Sequence, residues 1–114
     1  MPDALEPFHY RFVAVLRQPP TETDLREALR QLVIATAMTP FGPEEVRFHD
    51  DEWDAVQMIA ESHIGLHGHG PRGEGNIWSC KGFDPEAPAR ALDQALGGMW
   101  FYRRVEHPAE EEAS

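Results

Sequence analysis

The chain holds one cysteine, ten lysine and arginine residues against twenty aspartate and glutamate, and no apolar run of membrane-spanning length. Each shortage removes a class of protein. A lone thiol, Cys80, cannot close an internal disulfide, so a reducing cytoplasm is the expected setting. With a net charge of −10 and no basic stripe, the surface repels phosphate backbones, and nucleic acid is not an expected partner. Without a long apolar segment, no membrane partner is expected either. The start, Met1-Pro2-Asp3-Ala4-Leu5-Glu6, shows no basic region followed by an apolar stretch, so no secretion signal is expected there. Internal repeats are absent. The surplus of acid is compatible with a cationic ligand, although charge alone is more simply read as a soluble, self-repelling surface.

What is present suits one domain with one modest core: 114 residues, 41% of them hydrophobic. Tyr10 to Leu16, rich in aromatic and β-branched residues, reads as a strand ended by Gln18-Pro19-Pro20. Thr23-Asp24 is a candidate N-cap, and Leu25, Leu29, Leu32 and Thr36 then recur on one helical face. Shorter strands are expected from Val46, from Ala55 to Ile59, from Ile64 to His67 and from Asn76 to Cys80. Gly68 to Gly75, with four glycines and a proline, reads as a flexible loop. Asp84-Pro85 opens a second helix, with Ala89, Leu92 and Leu96 on one face, and Gly97-Gly98 stops it. Met99 to Val105 is a last strand.

The order β-α-β-β-β-β-α-β predicts an α+β fold, a two-layer sandwich of a mainly antiparallel sheet with two helices on one face. One domain over 1–107 is expected, with an acidic, disordered tail at 108–114. The other sheet face would be bare in a monomer. Trp78, Trp100 and Phe101 lie near it, which suggests a homodimer interface.

The most informative stretch is Ile59-Ala60-Glu61-Ser62-His63-Ile64-Gly65-Leu66-His67, joined downstream by Trp78-Ser79-Cys80-Lys81-Gly82. Taken singly, Ser62 reads as a turn serine, His67 as a polar strand residue and Cys80 as a small hydrophobe. His63, His67 and His69 share a parity, but no further ligand accompanies them and no metal site is expected. Together, the two segments resemble the bacterial and archaeal S-adenosylmethionine decarboxylases, small proenzymes that cut their own backbone. The resemblance implies cleavage between Glu61 and Ser62. Ser62 then becomes a covalent pyruvoyl cofactor, which forms a Schiff base with the substrate amine. It implies that His67 assists processing and that Cys80 returns a proton to the substrate. It further implies a decarboxylase of polyamine biosynthesis.

Three positions bear on the substrate. Phe48 matches a phenylalanine that stacks on adenine in the family; it is equally readable as core. Asp54 stands where the family has a serine that supports processing. Glu74 follows the processing histidine, but not in the family's Thr-Trp-Pro-Glu setting, whose glutamate binds ribose. With Asp50, Asp51, Glu52 and Asp54 close by, a basic amino acid such as ornithine or arginine is expected beside S-adenosylmethionine itself. The alternative is a non-processing relative that binds a cationic metabolite or a catalytic paralogue. Ser62 and His67 are five residues apart, so a straight strand would place them on opposite faces. A turn or bulge at Glu61-Ser62-His63, straining the scissile bond, is therefore predicted.

Overall fold

Apolar and polar residues alternate through the middle of the chain. Trp53, Ala55, Gln57 and Ile59 are buried, while Asp54 and Met58 between them are exposed and Val56 is half-buried. A period of two assigns one set to each face of a pleated strand. The computed structural model of the protein describes residues 8–106. Its elements are β1 (Phe8–Val15), α1 (Glu22–Thr36), β2 (Glu45–His49), β3 (Glu52–Ile59), β4 (Ser62–His69), β5 (Arg72–Ser79), α2 (Glu86–Leu96) and β6 (Phe101–Arg104). The six strands form one antiparallel sheet in the spatial order β2-β3-β4-β5-β1-β6. This is the expected α+β two-layer sandwich, with every element in the expected order. The expected tail at 108–114 lies outside the described residues. Among the described residues, no helix is long and apolar enough to cross a membrane.

The core lies between the sheet and the helices. Phe12, Ile64, Leu66 and Ile77 come from the sheet; Leu25, Leu29, Leu32 and Leu92 come from the helices, and all eight are fully buried. Burying each such side chain contributes about 1.5–3 kcal/mol. Thr36, the polar end of the α1 stripe, is buried because its hydroxyl donates to the Leu32 carbonyl at 2.7 Å.

Several local expectations need correction. The α1 cap is Thr21, not Thr23-Asp24. The Thr21 hydroxyl accepts from the Asp24 backbone N–H, and Asp24 accepts from the Thr21 backbone N–H, which closes a capping box. At α2 the cap position falls on Pro85, one residue later than expected, and Asp84 accepts from the Glu86 backbone N–H. Trp100 does not face the bare side. It is buried, and its indole N–H donates to the Gly97 carbonyl at 2.9 Å.

The largest correction concerns Gly68 to Gly75, which is no flexible loop. Strand β4 runs through Gly68 to His69, and Arg72 already opens β5. Only Gly70 and Pro71 form the turn, with Gly70 at φ 57°, as a two-residue hairpin turn requires at its first position. Gly68 is a glycine for a packing reason. A Cβ there would collide with the Arg72 carbonyl oxygen and the indole ring of Trp53. The Trp53 indole N–H donates to the Gly70 carbonyl at 2.9 Å, so ring and hairpin are tied together. Gly68→Ala should destabilise the fold by about 1–3 kcal/mol, seen as a lower urea midpoint at unchanged slope. An unchanged midpoint would show that Trp53 moves aside freely.

Candidate functional site

The β3–β4 hairpin turns on Ala60 and Glu61, between the paired residues Ile59 and Ser62. The predicted turn is therefore present. Ser62, the first residue after the turn, has φ 159°, a positive value at the margin of the extended region. Neither turn residue has a positive φ. The segment after α1 holds this apex from one side. The Thr39 backbone N–H donates to Glu61 Oε1 at 3.1 Å, and its hydroxyl lies 3.4 Å from Oε2. The Ala60 N–H donates to the Thr39 carbonyl, and the Phe41 N–H to the Met58 carbonyl. The Thr39 N–H lowers the pKa of the Glu61 carboxyl; burial opposes this and the charge of Lys81 assists it.

From the other side, the Cys80 backbone N–H donates to the Glu61 carbonyl oxygen at 3.1 Å. The bend after β5 fixes that donor. Buried Ser79 donates its hydroxyl to the Lys81 carbonyl and accepts from the Lys81 N–H, both at 2.8 Å. Lys81 Nζ donates to the Ala37 carbonyl, at the left-handed cap of α1. Glu61, Ser62 and Cys80 thus meet at one end of the sheet, and the Cys80 thiol is exposed.

A second cluster occupies the bare face. Cross-strand register places Asp54, His67 and Glu74 side by side on β3, β4 and β5. Glu74 is the centre of a network. Oε1 accepts from Arg11 Nη2 at 2.8 Å, and Oε2 accepts from Asn76 Nδ2 at 2.9 Å, with His67 Nε2 at 3.2 Å. Asn76 Oδ1 lies 2.7 Å from His9 Nε2, and the His9 ring stacks on Trp78 at 3.7 Å. Burial pushes the Glu74 carboxyl up, but Arg11, Asn76 and His67 together hold it at about 2. Asp54 is different: among the described residues no hydrogen bond or ion pair engages its carboxylate. Asp54, His63, His67 and Trp78 line a cleft of about 980 Å³ over this face; Phe48 borders it, but its pairing with buried Trp53 turns its side chain to the helix side. Phe48 is 49% exposed and is not core.

The structure therefore joins Glu61, Ser62 and Cys80, and separately joins Asp54, His67 and Glu74. It does not join Ser62 to His67. Strand β4 is paired without a bulge from Ser62 to His69, so the two lie roughly 16 Å apart along it, with opposite parity. The ring beside Ser62 belongs to His63, whose Nδ1 is 3.3 Å from Ser62 Oγ. Among the described residues, no group of three or more His, Cys, Asp or Glu side chains is placed to hold a metal ion. No protein-family model matches the sequence, and no curated protein matches it. Thr39, Arg11, Asn76 and His63 are site residues that reading the sequence missed. Only the shared parity of Glu74 with Asn76, and of His63 with His67, hinted at a common face.

A Glu74 carboxyl held below its ordinary value of 4.5 makes its contribution fully above that pH, and loses it as pH falls toward about 2. At neutral pH, Glu74→Gln should cost about 1 kcal/mol after allowance for solvent screening. The difference from wild type should vanish as urea unfolding is repeated down to strongly acid pH. A pH-independent difference would assign the cost to packing instead of charge.

Proposed function

We propose that the chain is a self-processing, pyruvoyl-dependent decarboxylase of polyamine biosynthesis, of the kind its Ser62 segment resembles. The observation that carries this reading is the Cys80 N–H donating to the Glu61 carbonyl at the hairpin apex. A donor on that oxygen polarises the carbonyl that self-cleavage must attack, and stabilises negative charge as it develops. Ser62 Oγ adds to the Glu61 carbonyl carbon. The C–N bond breaks, its electron pair stays on the Ser62 nitrogen, and that nitrogen takes the hydroxyl proton, leaving an ester. Removal of the Ser62 α-proton then expels the Glu61 carboxylate by β-elimination. Water adds to the resulting dehydroalanine, ammonia leaves, and a pyruvoyl group remains at position 62. That group supplies an electron sink for the carbanion left when an amino acid loses CO₂. The exposed Cys80 thiol, beside the cut, is the group that returns a proton. An exposed working thiol suits a reducing compartment, the cytoplasm.

The free carboxylate of Asp54 in the cleft supports a substrate with a cationic side chain. Ornithine and arginine meet that condition without any nucleoside contact, and the sulfonium of S-adenosylmethionine meets it as well.

The separation of Ser62 from His67 supports a homodimer through the bare face. A two-fold axis crossing the strands near Gly65, midway between the two residues, would carry His67 of a second copy toward the Ser62 end of the first. Side-chain space above Gly65 is open. The contact between Ser62 and His63 favours a second reading, in which His63 of the same copy is the base.

Intact mass under denaturing conditions should show fragments 1–61 and 62–114, the second about 17 Da lighter than a serine-started chain. Carboxyl-labelled ornithine, arginine and S-adenosylmethionine then identify the substrate by the CO₂ released. A chain that stays whole on long incubation would leave a non-catalytic, cation-binding protein. His67→Ala should slow cleavage by about a hundredfold or more. Co-expression with Ser62→Ala, which still carries His67, should restore cutting of the His67→Ala chain. If His67→Ala cuts at the wild-type rate and His63→Ala does not cut, the base is His63.

A further inference from the structure

We infer that Glu74 is a positioning residue for His67, fixing its tautomer and its ring with the help of Arg11 and Asn76. The inference rests on the reading that His67 removes a proton during self-cleavage.

A carboxylate only accepts hydrogen bonds. At 3.2 Å, His67 Nε2 makes an ion-pair contact with Glu74 Oε2, and the carboxylate favours a proton on that nitrogen, which leaves Nδ1 as the basic nitrogen of the neutral ring. His67 also needs an external hold. Its side chain is 57% exposed, so packing does not select one rotamer. The two carboxylates flanking it in register are Asp54 on β3 and Glu74 on β5, and only Glu74 is within bonding distance.

Glu74 can serve because it cannot move. Arg11 Nη2 holds one oxygen and Asn76 Nδ2 the other. Asn76 is held in turn by His9, which is 7% exposed and stacked on Trp78. A chain of fixed orientations thus runs from a buried ring to the exposed His67. An isolated surface pair between Arg11 and Glu74 would be worth little. Two further partners on the same carboxylate indicate a built arrangement. The register specifies it: Glu74 is the direct partner of His67, and Asn76 of Arg11. A one-residue slip would turn Glu74 to the helix side. The same engagement leaves Glu74 little capacity for a substrate hydroxyl.

The test uses the whole chain. In the uncleavable Ser62→Ala background, ¹⁵N NMR of the imidazole nitrogens should show His67 with the proton on Nε2, and adding Glu74→Ala should abolish that preference. With Ser62 intact, Glu74→Ala should slow self-cleavage at least about tenfold, as loss of an orienting partner does elsewhere. It should add nothing in a His67→Ala background, whereas a purely structural role would add its cost there too. A tautomer unchanged by Glu74→Ala overturns the inference, whether or not the wild type cuts itself. So does cleavage of Glu74→Ala at the wild-type rate. A wild type that never cuts defeats the proposed function instead, and the tautomer result then judges Glu74 by itself.

Discussion

Everything described depends on β4 being hydrogen-bonded on both edges, to β3 and to β5, without a slip from Ser62 to His69. That double pairing fixes which side chains enter the core and which stand on the bare face. Ile64 and Leu66 go inward against the helices; His63 and His67 go outward. The same pairing sets Cys80 against the Glu61 carbonyl and Glu74 against His67. One register therefore builds two chemically different clusters, one at the end of the sheet and one on its face.

The apex between β3 and β4 has an unusual source of order. The other two tight hairpins carry a residue of positive φ at the first turn position, Asp50 at 55° and Gly70 at 57°. Their sequences favour the turn locally. Ala60-Glu61 has no such preference. Its shape is imposed from outside, by Thr39 on the Glu61 side chain and by Cys80 on its carbonyl. Contacts distant in sequence thus hold the one turn whose peptide bond matters most for the proposed chemistry.

Much of this was legible before the structure. Element order followed from apolar periodicity, and the α1 stripe of Leu25, Leu29, Leu32 and Thr36 is buried as read. The parity of Ser62 and His67 was also correct as arithmetic; the turn predicted there is present, but it ends before Ser62 and leaves the opposite parity in force. The errors have physical causes. Gly68, Gly73 and Gly75 looked like loop residues because glycine lacks strand propensity, yet they lie within β4 and β5. At Gly68 the reason is space taken by Trp53. The cap moved to Thr21 because either threonine fits the local pattern, and only Thr21 stands three residues before an acid that can answer it. The Glu74 network was illegible because Arg11 lies 63 positions away, and no local pattern encodes a register between β1 and β5.

The sheet order has a consequence for any chain broken at the Ala60-Glu61 apex. The first piece would own β1, β2 and β3, and the second β4, β5 and β6. In space these alternate: β3 borders β4, β5 borders β1, and β1 borders β6. The pieces would be interleaved like two hands with fingers crossed, and neither could leave without tearing the sheet. Folding of one chain would become reassembly of two, so lost structure would return only as fast as the pieces meet, at a level set by their concentration. Such a protein has to fold first and be cut afterwards.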